Sequence, residues 1–254
     1  MDALDEAGIR LPGVEVRVLA RCASTNSALL AERIGAPVLL AAEEQTAGRG
    51  RRGRRWHSAP GRDLTFSLAR RIARPVRELA ALSLVAGVAA TRALRGLGVA
   101  QAAIKWPNDL MAGEAKLGGI LVETRLQGAA SLAVVGIGIN CRVDPLRARR
   151  ARRRVAFLEE LLVPLPSRNA MIERIGLALL EALDAFEKRG FESLREEWLA
   201  LHAHAGRRLR VRLADGRTLT GVAAGLDGDG GLQLRTRSGL RAVRSGEVLS
   251  ARSA

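Results

Sequence analysis

An α/β domain followed by a small all-β domain is the fold class the sequence predicts, on three observations. Strand-like alternation and helix-like spacing of apolar residues take turns along the chain from Val14 to about His202. Beyond Gly206 the pattern changes to short alternating runs split by glycine-containing turns. The hydrophobic content of 48% suits a globular core, and the mean hydropathy of +0.04 is that of a soluble chain. No run is expected to reach the roughly 18 apolar residues of a membrane span.

The elements follow in order. Val14 to Val18 alternates and reads as a half-buried strand. Ser24–Thr25–Asn26–Ser27 supplies capping residues for a helix from Ala28 to Ile34, which Gly35 can close. Pro37 to Ala42 reads as a buried strand. From Glu43 to Gly61 there is no apolar periodicity and the segment is dense in Gly and Arg, so a long functional or disordered loop is expected. Asp63 to Arg71 is a strand, and Arg77 to Leu97 a long helix ending at Gly98. Ala102 to Trp106, Lys116 to Arg125 and Ser131 to Cys141 are strands, with turns at Gly113–Glu114 and Gln127–Gly128. The run from Arg147 to Arg154 reads as a solvated loop. Met171, Ile175, Leu179, Leu183 and Phe186 recur at helical spacing, and another helix reaches about His202. Leu209, Val211, Leu213 and later Leu232, Leu234 alternate between the turns Asp215–Gly216 and Gly228–Gly231, which predicts a small barrel. The expected domains are 1–204 and 205–254.

The net charge of +15 invites a nucleic-acid hypothesis, because phosphate backbones attract any basic surface. Yet only Lys105, Lys116 and Lys188 are lysines among the 41 basic residues, a skew to arginine that codon composition also produces. Cys22 and Cys141 match no metal or redox spacing. Asp2, Asp5 and Glu6 argue against a secretory signal, so a cytoplasmic protein is expected.

Three segments carry chemistry. The first is Gly48–Arg49–Gly50–Arg51–Arg52–Gly53–Arg54–Arg55–Trp56. Glycine lets backbone N–H groups approach an anion, and arginine offers forked donors to phosphate or carboxylate. Without ligand such a loop should repel itself and stay mobile, and an anion could order it. The second is Lys105–Trp106–Pro107–Asn108–Asp109–Leu110, where Pro107 ends a strand and Asn108 and Asp109 can face a nucleotide and its magnesium. The third is Lys116–Leu117–Gly118–Gly119–Ile120–Leu121–Val122–Glu123, in which a lysine opens an apolar strand and needs an anion or an exit to solvent. Paired glycines beside it permit close approach by a ligand or mark a bulge. Val134–Val135–Gly136–Ile137–Gly138–Ile139–Asn140 is a buried strand interrupted by small residues; no dinucleotide fingerprint is present, since Cys141 holds the third glycine position.

In this order and spacing the segments resemble the biotin–protein ligase family, namely the catalytic core of BirA-type enzymes, from about Val14 to the C-terminus. The resemblance implies an α/β (α+β) fold with a class II aminoacyl-tRNA-synthetase-like mixed sheet and an SH3-like β-barrel at the end. It implies that biotin attacks ATP to give biotinyl-5'-AMP, with magnesium accompanying the nucleotide, and that a lysine of a carboxylase carrier domain then takes the biotin. Carried over residue by residue, Ser24, Thr25, Asn26 and Gln45 contact biotin, and Gly48, Arg49, Gly50 and Arg51 fold over it. Lys116 lies near its carboxylate, and Gly119, Gly136 and Gly138 flank its pocket. Arg49, Arg51 and Lys116 are the residues expected to drive the chemistry. Lys105, Asn108, Asp109 and Asn140 serve ATP and magnesium, and no resident metal is implied. Where the family often carries a Thr–Ser–Leu-like segment, this chain has Val155–Ala156–Phe157–Leu158–Glu159, so adenine contacts do not transfer.

Other readings compete. Some relatives are also repressors, but residues 1–23 leave no room for a winged helix ahead of Ser24, so DNA binding is not expected. A lipoate ligase would share the fold. A general RNA-binding protein would lack stacking platforms, with aromatics at 3% and no Tyr. His202 and His204 lack further metal ligands, and His57 has no assigned role. The oligomeric state stays open between monomer and homodimer.

Overall fold

The computed structural model describes residues 2–145, 149 and 154–253. The arginine run expected as a solvated loop falls largely outside them. Seven strands form the main sheet: β1 (Glu15–Cys22), β2 (Val38–Gln45), β3 (Asp63–Ile72), β4 (Ala102–Lys105), β5 (Asp109–Ala112), β6 (Ala115–Gln127) and β7 (Ala130–Asn140), in the order β1-β2-β3-β7-β6-β5-β4. Only β1 and β2 run parallel; the other neighbours are antiparallel. The sheet is therefore mixed, as expected.

Strand alternation decides which side of this sheet does what. Leu64, Phe66 and Leu68 of β3 and Val135, Ile137 and Ile139 of β7 face the main core. Helices α2 (Leu82–Gly96), α3 (Arg168–Arg189) and α4 (Glu192–Ala200) supply the opposing apolar side chains. Met171, Ile175, Leu179, Leu183 and Phe186, the helical stripe in the sequence, are all fully buried there. The intervening residues of the same strands, Thr65, Ser67, Gly136 and Gly138, are polar or small and face the other way. That side is partly covered by α1 (Thr25–Ala31), whose Leu29 packs with Val38, Leu40, Ala69, Leu132 and Val134. The rest of it is left for the pocket.

Three expectations are corrected in detail. The helix from Arg77 begins as a 3-10 turn over Val76–Ala81 before becoming α-helical. Asp109–Ala112, where no strand is expected from sequence, is a short strand that pairs with both β4 and β6. By length and composition the 21 residues Val76–Gly96 could cross a bilayer, although no run of that kind was expected; 67% of the apolar stretch is buried against the sheet and α3, as in a core helix. The N-terminal segment is fastened by Arg168, which is 2% exposed and donates to both carboxylate oxygens of Glu43 at 2.7 and 2.8 Å. Its backbone N–H donates to Asp2.

The C-terminal part is a five-stranded antiparallel sheet, β8 (Arg208–Leu213), β9 (Thr218–Leu226), β10 (Leu232–Thr236), β11 (Gly239–Val243) and β12 (Gly246–Arg252), ordered β11-β10-β9-β8-β12. Leu209, Val211, Leu226, Leu232 and Leu234 fill its interior. Its hydrogen-bonded ladder is open between β11 and β12, so the small β domain is a curled sheet rather than a fully bonded barrel.

Candidate active site

A cleft opens on the polar side of the main sheet, beneath the arginine loop and beside β12. Its inner end is built from groups that satisfy one another. Ser24 caps α1, its Oγ accepting from the Ser27 N–H. The Thr25 N–H donates to Gln45 Oε1 at 2.8 Å, and Thr25 Oγ1 lies 2.6 Å from Ser67 Oγ. Ser67 Oγ donates to Asn26 Oδ1 at 2.6 Å. The register explains the meeting: Ser67 lies opposite Gly136 and Thr65 opposite Gly138, while β6 places Leu121 and Gly119 on their other flank. A Cβ on Gly136 would sit 2.3 Å from Asn26 Oδ1, and one on Gly138 would sit 2.5 Å from the Trp56 ring. Both positions need glycine because a side chain already fills the space above them.

The outer end is cationic. Lys116 at the start of β6 donates to Asp109 Oδ1 at 2.5 Å, and Lys105 lies 3.9 Å from Asp109 Oδ2. Three elements thus converge their charges at one point. Above them the arginine loop forms a short hairpin, with Arg49 bridging Arg55, Gly50 N–H donating to Arg54 O at 2.7 Å and Trp56 N–H to Gly48 O at 2.9 Å. Arg49 donates to Glu123 at 2.7 Å, and Arg54 pairs with Glu247 of the C-terminal sheet. Burial, reinforced by Arg52, lowers the Arg51 guanidinium below its usual value, and Glu247 raises that of Arg54. Arg51 lies in the pocket lining, where Asp109 and Glu247 are the carboxylates near enough to oppose that lowering.

Of the residues expected from sequence, Ser24, Thr25, Asn26, Gln45, Arg49, Gly50, Arg51, Lys105, Asn108, Asp109, Lys116, Gly119, Gly136 and Gly138 line this cleft together. Two lie outside its lining. Gly48 lies at the hairpin base, where a Cβ would be 2.5 Å from Trp56 O. Asn140 is buried and donates to Lys116 O and Ala156 O at 3.3 and 3.1 Å, holding segment 155–156 against β6. Nor do the paired glycines act alike: a Cβ on Gly118 would strike Gly138 O at 2.5 Å, so Gly118 serves strand packing, whereas Gly119 borders Lys116 Nζ. Ser67 is not singled out in the sequence, and Trp56, Glu123 and Glu247 are given no role of their own there. Glu123 closes the apolar motif begun by Lys116, and a carboxylate there is the one signal that could have marked it.

Residues 18–140 match the model of the biotin/lipoate A/B protein ligase family, and residues 204–249 match that of the biotin protein ligase C-terminal domain. The chain is 35% identical to the bifunctional ligase/repressor BirA of Escherichia coli K12, over 96% of this chain and 76% of that protein. It is 33% identical to the biotin–[acetyl-CoA-carboxylase] ligase of Mycobacterium tuberculosis, over 94% of this chain and 90% of that one. Among solved structures, the biotin protein ligase of Aquifex aeolicus in complex with biotin and ATP superimposes with a TM-score of 0.79 at 29% identity, covering 94% of this chain and 99% of the other. A mixed sheet with a small antiparallel domain and a polar cleft closed by cations thus defines an adenylating ligase fold. The chain belongs to the biotin/lipoate A/B protein ligase family, on its biotin protein ligase branch.

Proposed function

We propose that the protein is an ATP-dependent biotin–[acetyl-CoA-carboxylase] ligase. The observation that carries this reading is the polarity of one cleft, hydrogen-bonding at its inner end and cationic at its outer end. A ureido head group offers two N–H donors and a carbonyl acceptor, which suits the hydroxyls and amides of Ser24, Thr25, Asn26 and Gln45. A valerate carboxylate reaching outward would meet Lys116. In the first step a carboxylate oxygen bonds to the α-phosphorus of ATP as the bond to the β-phosphate oxygen breaks, releasing pyrophosphate. The reacting groups are both anionic, and one such pair at about 4 Å costs roughly 4 kcal/mol at an effective dielectric near 20. Lys105, Lys116, Arg49 and Arg51 are placed to offset that repulsion. In the second step a carrier lysine, as the free amine, bonds to the mixed-anhydride carbonyl, and AMP leaves with the electron pair of the broken C–O bond.

Asp109 is a single carboxylate among lysines, a donor set that suits a magnesium ion bound mostly through phosphate oxygens and water. Such an ion would neutralise phosphate charge when it arrives with the nucleotide. Asn108 sits beside it, its side-chain amide donating to Ile120 O at 2.7 Å. The carrier is a biotin carboxyl carrier domain of acetyl-CoA carboxylase or a related enzyme, encountered in the cytoplasm. Residues 1–204 carry the catalytic groups, and 205–254 form the small β domain that closes one side of the cleft.

ATP–pyrophosphate exchange with biotin, with lipoate and with neither tests the reading. Exchange that requires biotin supports it. Exchange with lipoate alone would retain the fold and replace the substrate, and no exchange with either would overturn adenylation.

A further inference from the structure

Glu123 stands outside the roles considered so far, yet its carboxylate joins the two ends of the cleft. Its Oε2 accepts from Asn26 Nδ2 at 2.9 Å and from Arg49 at 2.7 Å. Asn26 Nδ2 also donates to Leu121 O at 3.1 Å. Carboxylate and carbonyl oxygens can only accept, so together they hold the nitrogen end of the Asn26 amide towards β6. Its Oδ1 is thereby turned the other way, towards Ser67 Oγ at 2.6 Å and the space that the missing Cβ of Gly136 leaves.

The hydroxyl protons fix a direction in the same network. Each of Thr25 and Ser67 has one hydroxyl proton to give. If Ser67 gives its proton to Asn26 Oδ1, Thr25 must supply the bond between the two hydroxyls, and Gln45 Oε1 is left with the Thr25 N–H. The chain then runs Thr25, Ser67, Asn26, Glu123, with every donor pointing towards the carboxylate, and Arg49 meets it from the loop side. Asn26 Oδ1 keeps one lone pair, and Asn26 is part of the cleft lining.

We infer that Glu123 is a positioning residue that sets two things at once: the acceptor face of Asn26 towards a ureido N–H, and the placement of Arg49 over the bound acyl group. This deepens the ligase reading and rests on it. A carboxylate serves both partners with its charge, whereas an amide oxygen in its place could accept from both but would carry no charge for the guanidinium. Gln keeps an acceptor for Asn26 and loses the charge that holds Arg49; Ala loses both.

The test compares the parent with Glu123→Gln and Glu123→Ala, measuring biotin KM and kcat in pyrophosphate exchange, the rate of biotinyl-adenylate release, and thermal melting. The alanine variant is expected to raise the biotin KM about tenfold or more with kcat altered less than about threefold. The glutamine variant should hold KM within about threefold and release the adenylate about three- to tenfold faster. Parental KM and parental release in both variants would overturn the inference, as would a loss of kcat alone. If the alanine variant does not fold, adenylate release from the glutamine variant decides. A parent without biotin-dependent exchange would instead overturn the functional reading, and the inference with it.

Discussion

The floor of the cleft and its roof are built on opposite terms. Thr25, Asn26, Gln45 and Ser67 are buried and bonded to one another, and buried Ser24 caps the helix beside them. The roof residues Arg49 and Arg54 have side chains 44% and 56% exposed, and they rest on carboxylates from distant parts of the chain, Glu123 and Glu247. Recognition by hydrogen bonds requires a pattern in place beforehand, since each buried polar group left unpaired costs about 1–3 kcal/mol. Exposed pairs like these are worth about 1 kcal/mol or less, so they orient the roof cations without adding much to the stability of the fold. The difference separates what selects the acyl group from what handles charge.

Substitutions in each region should break this comparison in different observables. The largest effect is expected from Lys116→Ala, between the two, which should lower exchange by about a thousandfold with the fold intact by circular dichroism. Normal exchange in that variant would mean that the phosphate lies elsewhere. Next is Gly136→Ala on the floor. With Asn26 Oδ1 2.3 Å from the new methyl, biotin KM should rise by roughly ten- to a hundredfold and ATP KM should stay near the parent's. Arg51→Gly on the roof should do the reverse, releasing the adenylate about tenfold faster while biotin KM changes by less than about twofold. Equal off-rates in mutant and parent would show that the roof does not retain the intermediate.

The smallest effect sharpens the scaffold behind both regions. Burial lowers His202 to about 3 and, with Lys105 and Arg207 nearby, His204 to about 4, from an ordinary 6.5. Both are neutral in the fold, so the unfolded chain binds more protons below pH 6.5. Stability from these groups is complete above that pH and is lost as pH falls towards 4 and 3. Between pH 7 and 5 melting should drop on the order of 5 °C, and less in a His202→Gln, His204→Gln double variant. An unchanged slope in that variant would assign the acid loss to other groups.

Much of this was legible in the sequence, for reasons particular residues show. The long strands of the sheet declared themselves by alternation, and Gly136 and Gly138 by interrupting it. The loop of Gly48 to Trp56 and the lysines of two motifs marked the cationic end. What was hidden depended on partners far along the chain. A strand of four residues, Asp109–Ala112, has too few positions to show a period and exists because β4 and β6 flank it. Ser67 reads as one polar residue in an apolar strand until Asn26, 41 positions earlier, reaches it. The loop's ordered hairpin likewise depends on Glu247, nearly two hundred positions downstream by residue number, which no local pattern could supply.

The small C-terminal sheet also touches the motif that opens with Lys105: the Trp106 indole N–H donates to Gly230 O at 3.2 Å, and Gly230 itself lies so near Leu84 that a Cβ would meet it at 2.5 Å. Add the Glu247 pair with Arg54, and the tail supplies a carbonyl, a glycine and a carboxylate to the other part of the molecule. The two parts are therefore poor candidates for shuffling. A tail borrowed from a relative would have to bring all three groups at those heights, or leave an indole without a partner and a loop without its anchor, so across generations the pieces must drift together.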